Sequence, residues 1–200
     1  MINLRMEDKI LELSQKIKKL EDELILEIQK REKEFFYEIQ AKRVKFQREA
    51  KKQHKLLVKK IRYYLRDAAL LNILTAPVIY SVLIPGLFLD LVITVFQNIC
   101  FPVYGIPKVR RGDYILVDRN YLSYLNAIEK INCVYCGYFN GLIGYVREIA
   151  GRTEQYWCPI KHAGKLKAVH SRYWKFLEYG DGSAYRKDLG KVRRSFNDIE

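Results

Sequence analysis

Three cysteines and one histidine are the residues best suited to chemistry in this 200-residue chain. Cys133-Val-Tyr-Cys136 and Cys158-Pro-Ile-Lys-His162 supply three thiols and an imidazole. That set suffices for tetrahedral zinc, and an iron–sulfur cluster can use the same groups. The pair Cys133/Cys136 also has the spacing of a thiol–disulfide couple, in which a helix N-terminus lowers one thiol pKa. No thioredoxin-like strand–helix pattern surrounds it. The competing reading is plain reduced cysteine, a common small core residue. A shared metal site carries one geometric condition. If Leu142–Tyr156 is an unbroken helix, its ends lie about 21 Å apart, with Cys136 and Cys158 beyond opposite ends. Cys100 lies in an apolar stretch and reads as packing.

A second constellation is Arg147, Glu148, Arg152, Glu154 and Gln155. Glu148 and Arg152 are four apart, on one helical face, where an ion pair supports the helix. Glu148, Glu154 and His162 are the acid–base candidates for an enzyme acting on lipid-phase substrates. The alternative is a structural or solvated cluster. The chain has no Gly-rich phosphate loop, no G-x-S-x-G elbow and no H-E-x-x-H motif.

The element that must position all of these is Ala68–Val103, which carries a single formal charge, Asp90. As one helix its thirty-six residues would be about 54 Å long, against a hydrocarbon core of about 30 Å. Pro85-Gly86 near its middle predicts a break. The expectation is a membrane helical hairpin of two short helices, Ala68–Ile84 and Leu87–Val103, which either crosses or dips and returns. Basic residues flank both ends, so the positive-inside rule puts both on the cytoplasmic side of the membrane. A single span from about Leu70 to Leu89 and a buried soluble hairpin are the alternatives. Asp90 at depth is a functional or pairing candidate, unless it lies close to the interface.

Residues 1–67 form the expected basic helical arm. Leu13, Leu24, Phe35, Phe46, Leu57 and Ala68 recur every eleven residues, a period close to a straight or slightly right-handed helix. No Pro or Gly interrupts Arg5–Asp67, which favours a continuous, coiled-coil-like helix that pairs with a second copy or a helical partner. From Lys42 to Arg66 the one acid is Glu49, against eleven Lys and Arg. Such a run binds anionic lipid headgroups at about 1 kcal/mol per basic residue. Nucleic acid is disfavoured, because Phe35, Phe46 and Tyr63 fall mostly on the apolar stripe rather than on a stacking surface. His54 stands among lysines and reads as solvated.

Residues 104–200 are the third part, a small α-rich cysteine-bearing domain. Tyr114–Val117 reads as a short strand, Tyr121–Asn132 and Leu142–Thr153 as helices separated by Gly137, Gly141 and Gly144, with short helices at Ser171–Tyr179 and Ala184–Phe196. The fold class is therefore mainly α. A net charge of +13 suits nucleic acid or an anionic membrane face, and the apolar stretch favours the membrane. Four cysteines are too few for a disulfide scaffold. Met1–Glu12 is charged and lacks a cleavable signal pattern, so insertion would use the internal stretch.

Three runs carry a resemblance: Cys-Phe-Pro-Val-Tyr-Gly-Ile-Pro-Lys-Val from Cys100, Asn-Cys-Val-Tyr-Cys-Gly-Tyr-Phe-Asn-Gly-Leu from Asn132, and Arg-Thr-Glu-Gln-Tyr-Trp-Cys-Pro-Ile-Lys-His-Ala from Arg152. Over about Pro77–Gly180 the chain resembles an uncharacterised family of bacterial membrane proteins. The resemblance implies membrane association in a bacterium and lends no activity, cofactor or catalytic residue. The functional expectation is a membrane-anchored structural, scaffold or interaction protein. The alternative is a membrane-associated metal (zinc or iron–sulfur) or thiol-redox protein using Cys133, Cys136, Cys158 and His162.

Overall fold

The computed structural model describes residues 12, 13, 16, 17, 19–30, 37–40, 43–46 and 48–199. It is mainly helical and divides into two compact units. One comprises Met1–Lys59 with Tyr121–Asn126; the other comprises Lys60–Asn120 with Ala127–Glu200.

In the first unit, residues 19–30 are helical, as the arm requires. The helix does not run on unbroken. Strands β1 (Tyr37–Gln40) and β2 (Arg43–Phe46) pair antiparallel, with Tyr37 opposite Phe46, Glu38 opposite Lys45 and Ile39 opposite Val44. Polar and apolar residue types alternate along both, which is the period of a strand. In β2 the eleven-residue repeat that includes Phe46 competes with that local alternation. Helix α1 (Arg48–Leu56) follows. His54, expected to be solvated, meets Tyr124 edge-on at 5.2 Å, and buried Asn126 donates to the Lys59 carbonyl at 3.3 Å. The repeat positions Leu13 and Phe35 are split by the description: Leu13 is exposed, whereas Phe35 and the N-terminal segment 1–11 lie outside the described residues.

The second unit holds helices α2 (Ile61–Asp67), α3 (Leu70–Ser81), α4 (Leu83–Tyr104), α5 (Ala127–Trp157) and α6 (Gly182–Val192). The expected break at Pro85-Gly86 falls earlier, at Val82. Proline lacks the N–H that would bond the Ser81 carbonyl, and its ring crowds that same carbonyl, so the preceding ladder ends there. The ladder resumes when Gly86 N–H reaches the Val82 carbonyl at 3.1 Å. Pro85 itself sits in the first turn of α4, where a missing donor costs nothing. Val82 keeps right-handed helical geometry (φ −63°, ψ −19°), so the chain continues instead of turning back. The hairpin is thereby corrected to one interrupted helix. Leu70–Tyr104, 35 residues, is long and apolar enough to cross a membrane by length and composition.

Helix α4 ends at Gly105, whose φ of 68° is the left-handed conformation that glycine adopts without strain. Ile106 N–H bonds the Phe101 carbonyl at 2.9 Å and Gly105 N–H bonds Pro102 at 3.4 Å, the paired bonds of a Schellman cap. Its hydrophobic contact is present too, since Phe101 and Ile106 are both in the core.

From there residues 106–118 run back as a strap along α4 and α5. Gln97 accepts from Val109 N–H at 2.9 Å, Arg111 meets Asp90, and Tyr114–Leu116 pass over α5. The predicted strand Tyr114–Val117 is this strap and pairs with no sheet. Helix α5 is continuous for 31 residues, so Gly137, Gly141 and Gly144 do not interrupt it as expected. They open a groove in its surface. A Cβ on Gly141 would stand 2.5 Å from the Tyr114 carbonyl oxygen and 2.7 Å from Ile115 Cα. Each glycine costs about 1 kcal/mol of helix propensity, which the close seating of the strap offsets. The core closes around Phe101, Ile106, Val109, Leu142, Tyr145, Ile149 and Phe196. The helix expected at Ser171–Tyr179 shrinks to the single 3-10 turn Tyr173–Lys175, beside a one-residue parallel bridge between Ile160 and Leu177.

Candidate functional site

Helix α5 decides the fate of the proposed metal centre. Cys133 and Cys136 lie on its second and third turns, whereas Cys158 follows its last residue. At about 1.5 Å per residue, Cys136 and Cys158 are separated by about 30 Å of helix. The condition set by the sequence is met in its unfavourable form, and the four groups Cys133, Cys136, Cys158 and His162 are not brought together. All four cysteines of the chain are free, and among the described residues no three metal-ligating side chains converge. Cys133 and Cys136 also lie in the second and third turns, away from the helix N-terminus at Ala127 where the C-x-x-C of a thiol–disulfide couple sits. His162 is exposed; its ring stacks on Tyr173 at 6.3 Å, and its backbone N–H donates to the Tyr173 hydroxyl at 2.9 Å.

Two of the three acid–base candidates, Glu148 and Glu154, fall into a polar network where α5 meets the segment 169–172. Glu148 accepts from Arg152 Nε at 2.9 Å and from the Ser171 hydroxyl at 2.6 Å. Arg152 Nη1 also donates to the Pro107 carbonyl at 2.8 Å, which ties the pair to the strap. Both side chains are at most one-tenth exposed, so neither charge is solvated in place of its partner. Glu148 raises the Tyr114 phenol pKa as well, adding to the larger effect of burial. Glu154 meets His170 Nε2 at 3.0 Å. Because Arg172 N–H donates to His170 Nδ1 at 3.2 Å, the ring proton belongs on Nε2, pointing at Glu154. Gly151 makes this seat, since a Cβ there would lie 2.6 Å from His170 Nδ1.

Gln155, fully buried, is satisfied at both ends. Its oxygen accepts from Arg172 Nε at 2.7 Å, and its amide donates to the carbonyls of Val192 and Ser195, each at 2.9 Å. Arg172 then grips both oxygens of Asp198 at 2.8 and 2.9 Å. The Arg172 guanidinium, with Lys175 beside it, holds the Asp198 carboxyl far below its ordinary range. The side chains of this network are thus engaged with one another. Ser171 gives its proton to a carboxylate that is itself paired with Arg152, and His170 Nδ1 is occupied by a backbone amide. The network joins the strap, α5, the 169–172 segment and the C-terminal turn. His170, Ser171, Arg172 and Asp198 escape sequence reasoning because they come from irregular segments with no periodicity to mark them.

Asp90 has a clear answer. Arg111 donates to it through Nη2 at 2.6 Å and Nε at 3.3 Å, and the Tyr138 hydroxyl donates at 2.9 Å. The lone acid of the apolar stretch is a pairing residue that joins α4, the strap and α5. A polar cleft of about 520 Å³ lies between the strap and α5, lined by Asp113, Asp118, Arg119, Cys136 and Asn140 among others.

The other feature of note is an apolar stripe. Gly86, Asp90, Ile93, Gln97 and Phe101 face α5, the strap and the core. On the opposite side of α4, Ile84, Phe88, Leu91, Val95, Ile99 and Val103 are exposed at intervals of three and four residues. In the most apolar window of Leu70–Tyr104 only 11% is buried, whereas a core helix of a water-soluble protein would be mostly buried. Comparison with family models, curated proteins and solved structures finds no match.

Proposed function

We propose that this chain is a membrane-anchored structural or interaction protein, held by one face of α3 and α4 in the cytoplasmic leaflet of a bacterial inner membrane. The observation that carries this reading is the continuous exposed stripe from Ile84 to Val103, backed by a face that packs on the core and bonds the strap through Asp90 and Gln97. Exposed apolar surface on this scale is unfavourable in water by about 25 cal/mol per Å². A helix flanked along one side by the strap and α5 cannot be surrounded by lipid. One-sided burial therefore suits it better than a crossing. That geometry also agrees with basic residues at both ends, Lys60, Arg62 and Arg66 before it and Lys108, Arg110 and Arg111 after it.

The basic run Lys42–Arg66 adds attraction to anionic headgroups, and the arm supplies a surface for a second copy or a helical partner. The family resemblance of Pro77–Gly180 points the same way. The metal or redox alternative draws no support from the placement of its ligands, and the enzyme reading draws none from the satisfied network around Glu148. The test is topology in bacterial cells. Fusion reporters at both ends of the full chain should each report cytoplasm, and the protein should stay with membranes through alkaline carbonate extraction. A periplasmic report from either end overturns the one-sided anchor; release by carbonate overturns membrane anchoring itself.

A further inference from the structure

Between the α3–α4 helix and the N-terminal half of α5 lies a cleft of about 470 Å³, lined by Tyr80, Leu83, Leu87, Ile131, Val134 and Tyr138 among others. That volume lies within the range of small-ligand sites. Three tyrosines border it, yet their hydroxyls are spent elsewhere. Tyr80 bonds the Asn132 side chain, Tyr135 donates to the Ile79 carbonyl at 2.9 Å, and Tyr138 donates to Asp90. What they offer the cleft is ring surface, so its wall is almost wholly hydrocarbon. The one charged residue on the lining is Lys130, half-buried, with no acid on the wall to neutralise it. Leu87 belongs to this wall and is itself more than half exposed, next to Phe88 and Leu91 of the lipid-facing stripe.

We infer that the cleft holds an acyl chain of an anionic phospholipid, with the Lys130 ammonium on the headgroup phosphate. This rests on the membrane reading above and deepens it by naming the ligand. Three observations select that occupant. The wall matches hydrocarbon and offers no partner for a polar body. The one cation on the wall, with no acid beside it there, matches one phosphate. The cleft opens beside the apolar stripe, so a chain enters from the bilayer without crossing water. A second copy of this chain would need a complementary apolar knob carrying an acid, which nothing in the lining requires.

The experiment uses full-length protein in phosphatidylcholine nanodiscs containing a minority of phosphatidylglycerol and a trace of phosphatidylglycerol with a photoactivatable acyl chain. Mass spectrometry locates the cross-links. The expected result is labelling concentrated on 80–87 and 130–138. Filling the cleft with Val134→Trp should reduce it roughly tenfold. Ile131→Trp, at a more exposed position of the same wall, is the second variant should the first disturb folding, which helical circular dichroism checks. Lys130→Gln should lower the preference for phosphatidylglycerol over phosphatidylcholine roughly fivefold, the weight of one lysine near an anionic surface. Labelling spread evenly along Ile84–Val103 and unmoved by either tryptophan would overturn the inference while leaving the membrane anchor intact. Protein–protein cross-links through the cleft would replace the lipid with a second copy. Failure of the protein to enter nanodiscs would overturn both readings together.

Discussion

Replacing Gly141 by alanine sets two known effects against each other at one site. Alanine in a helix interior is favoured over glycine by about 1 kcal/mol. At Gly141, however, the new Cβ would stand 2.5 Å from the Tyr114 oxygen and 2.7 Å from Ile115 Cα. Both are backbone atoms, which cannot rotate out of the way. To reach ordinary contact at 3.4 Å the strap must move by about 0.9 Å. The strap cannot move alone, because Val109 N–H is held by Gln97 at 2.9 Å and Arg111 by Asp90 at 2.6 Å. Overpacking of this kind costs about 1–3 kcal/mol. Set against the propensity gain, the net expectation is a loss of up to about 2 kcal/mol, read as a Tm lowered by up to roughly 8 °C for a chain of this size. The assay is thermal unfolding of detergent-solubilised protein followed by circular dichroism. Gly190→Ala, in α6 with open space around its Cβ, is the control and should gain up to about 1 kcal/mol. Gly144→Ala meets the Tyr114 ring at 3.2 Å and should fall between the two, since a ring can give way. If Gly141→Ala raises Tm as Gly190→Ala does, the seating of the strap on α5 is wrong.

Glu148→Leu leaves Arg152 buried without its carboxylate and should destabilise by about 3–5 kcal/mol, with part regained in the double variant Glu148→Leu/Arg152→Leu; unfolding midpoints in denaturant measure both. Asp198 has a folded-state pKa depressed below its unfolded value, so its contribution is full above the unfolded pKa and fades as pH falls through the folded one. Tm measured across acid pH should therefore show the native protein losing its advantage over Asp198→Asn as pH drops below about 4. The advantage is modest, because the carboxylate is about half exposed. Zinc affinity, by competition with a chromophoric chelator, should be the same for the native chain and for Cys158→Ser, since about 30 Å of α5 separates Cys158 from Cys136; a shared centre would lose affinity by orders of magnitude.

The helical class, the apolar stretch and the pairing of Glu148 with Arg152 were legible in the sequence, because each rests on local periodicity or spacing. Apolar runs and i, i+4 charges report directly on a helix. The glycines misled for an equally physical reason. Gly137, Gly141 and Gly144 are weak helix formers, so local propensity predicts interruption. Their purpose is to let a strap from 20 to 30 residues upstream approach α5, and no local pattern encodes that approach. Pro85 illustrates a finer point. Proline is a helix breaker, but its effect falls on the carbonyl four residues earlier, which displaces the interruption to Val82. The arm's eleven-residue repeat concealed β1 and β2, whose alternating residue types were present but outweighed by the longer period. His170, Ser171, Arg172 and Asp198 were invisible because their partners lie on other elements, from 16 to 26 residues away.

The claim that lipid covers the stripe of α4 is tested most directly by the water accessibility of single cysteines. In a cysteine-free full-length background, Phe88→Cys and Leu91→Cys lie on the stripe, and Trp174→Cys, 74% exposed, lies outside it. In intact membranes the stripe positions should resist a water-soluble maleimide and react only after detergent is added, while position 174 reacts at once. Equal labelling rates at all three positions before detergent would contradict the anchor.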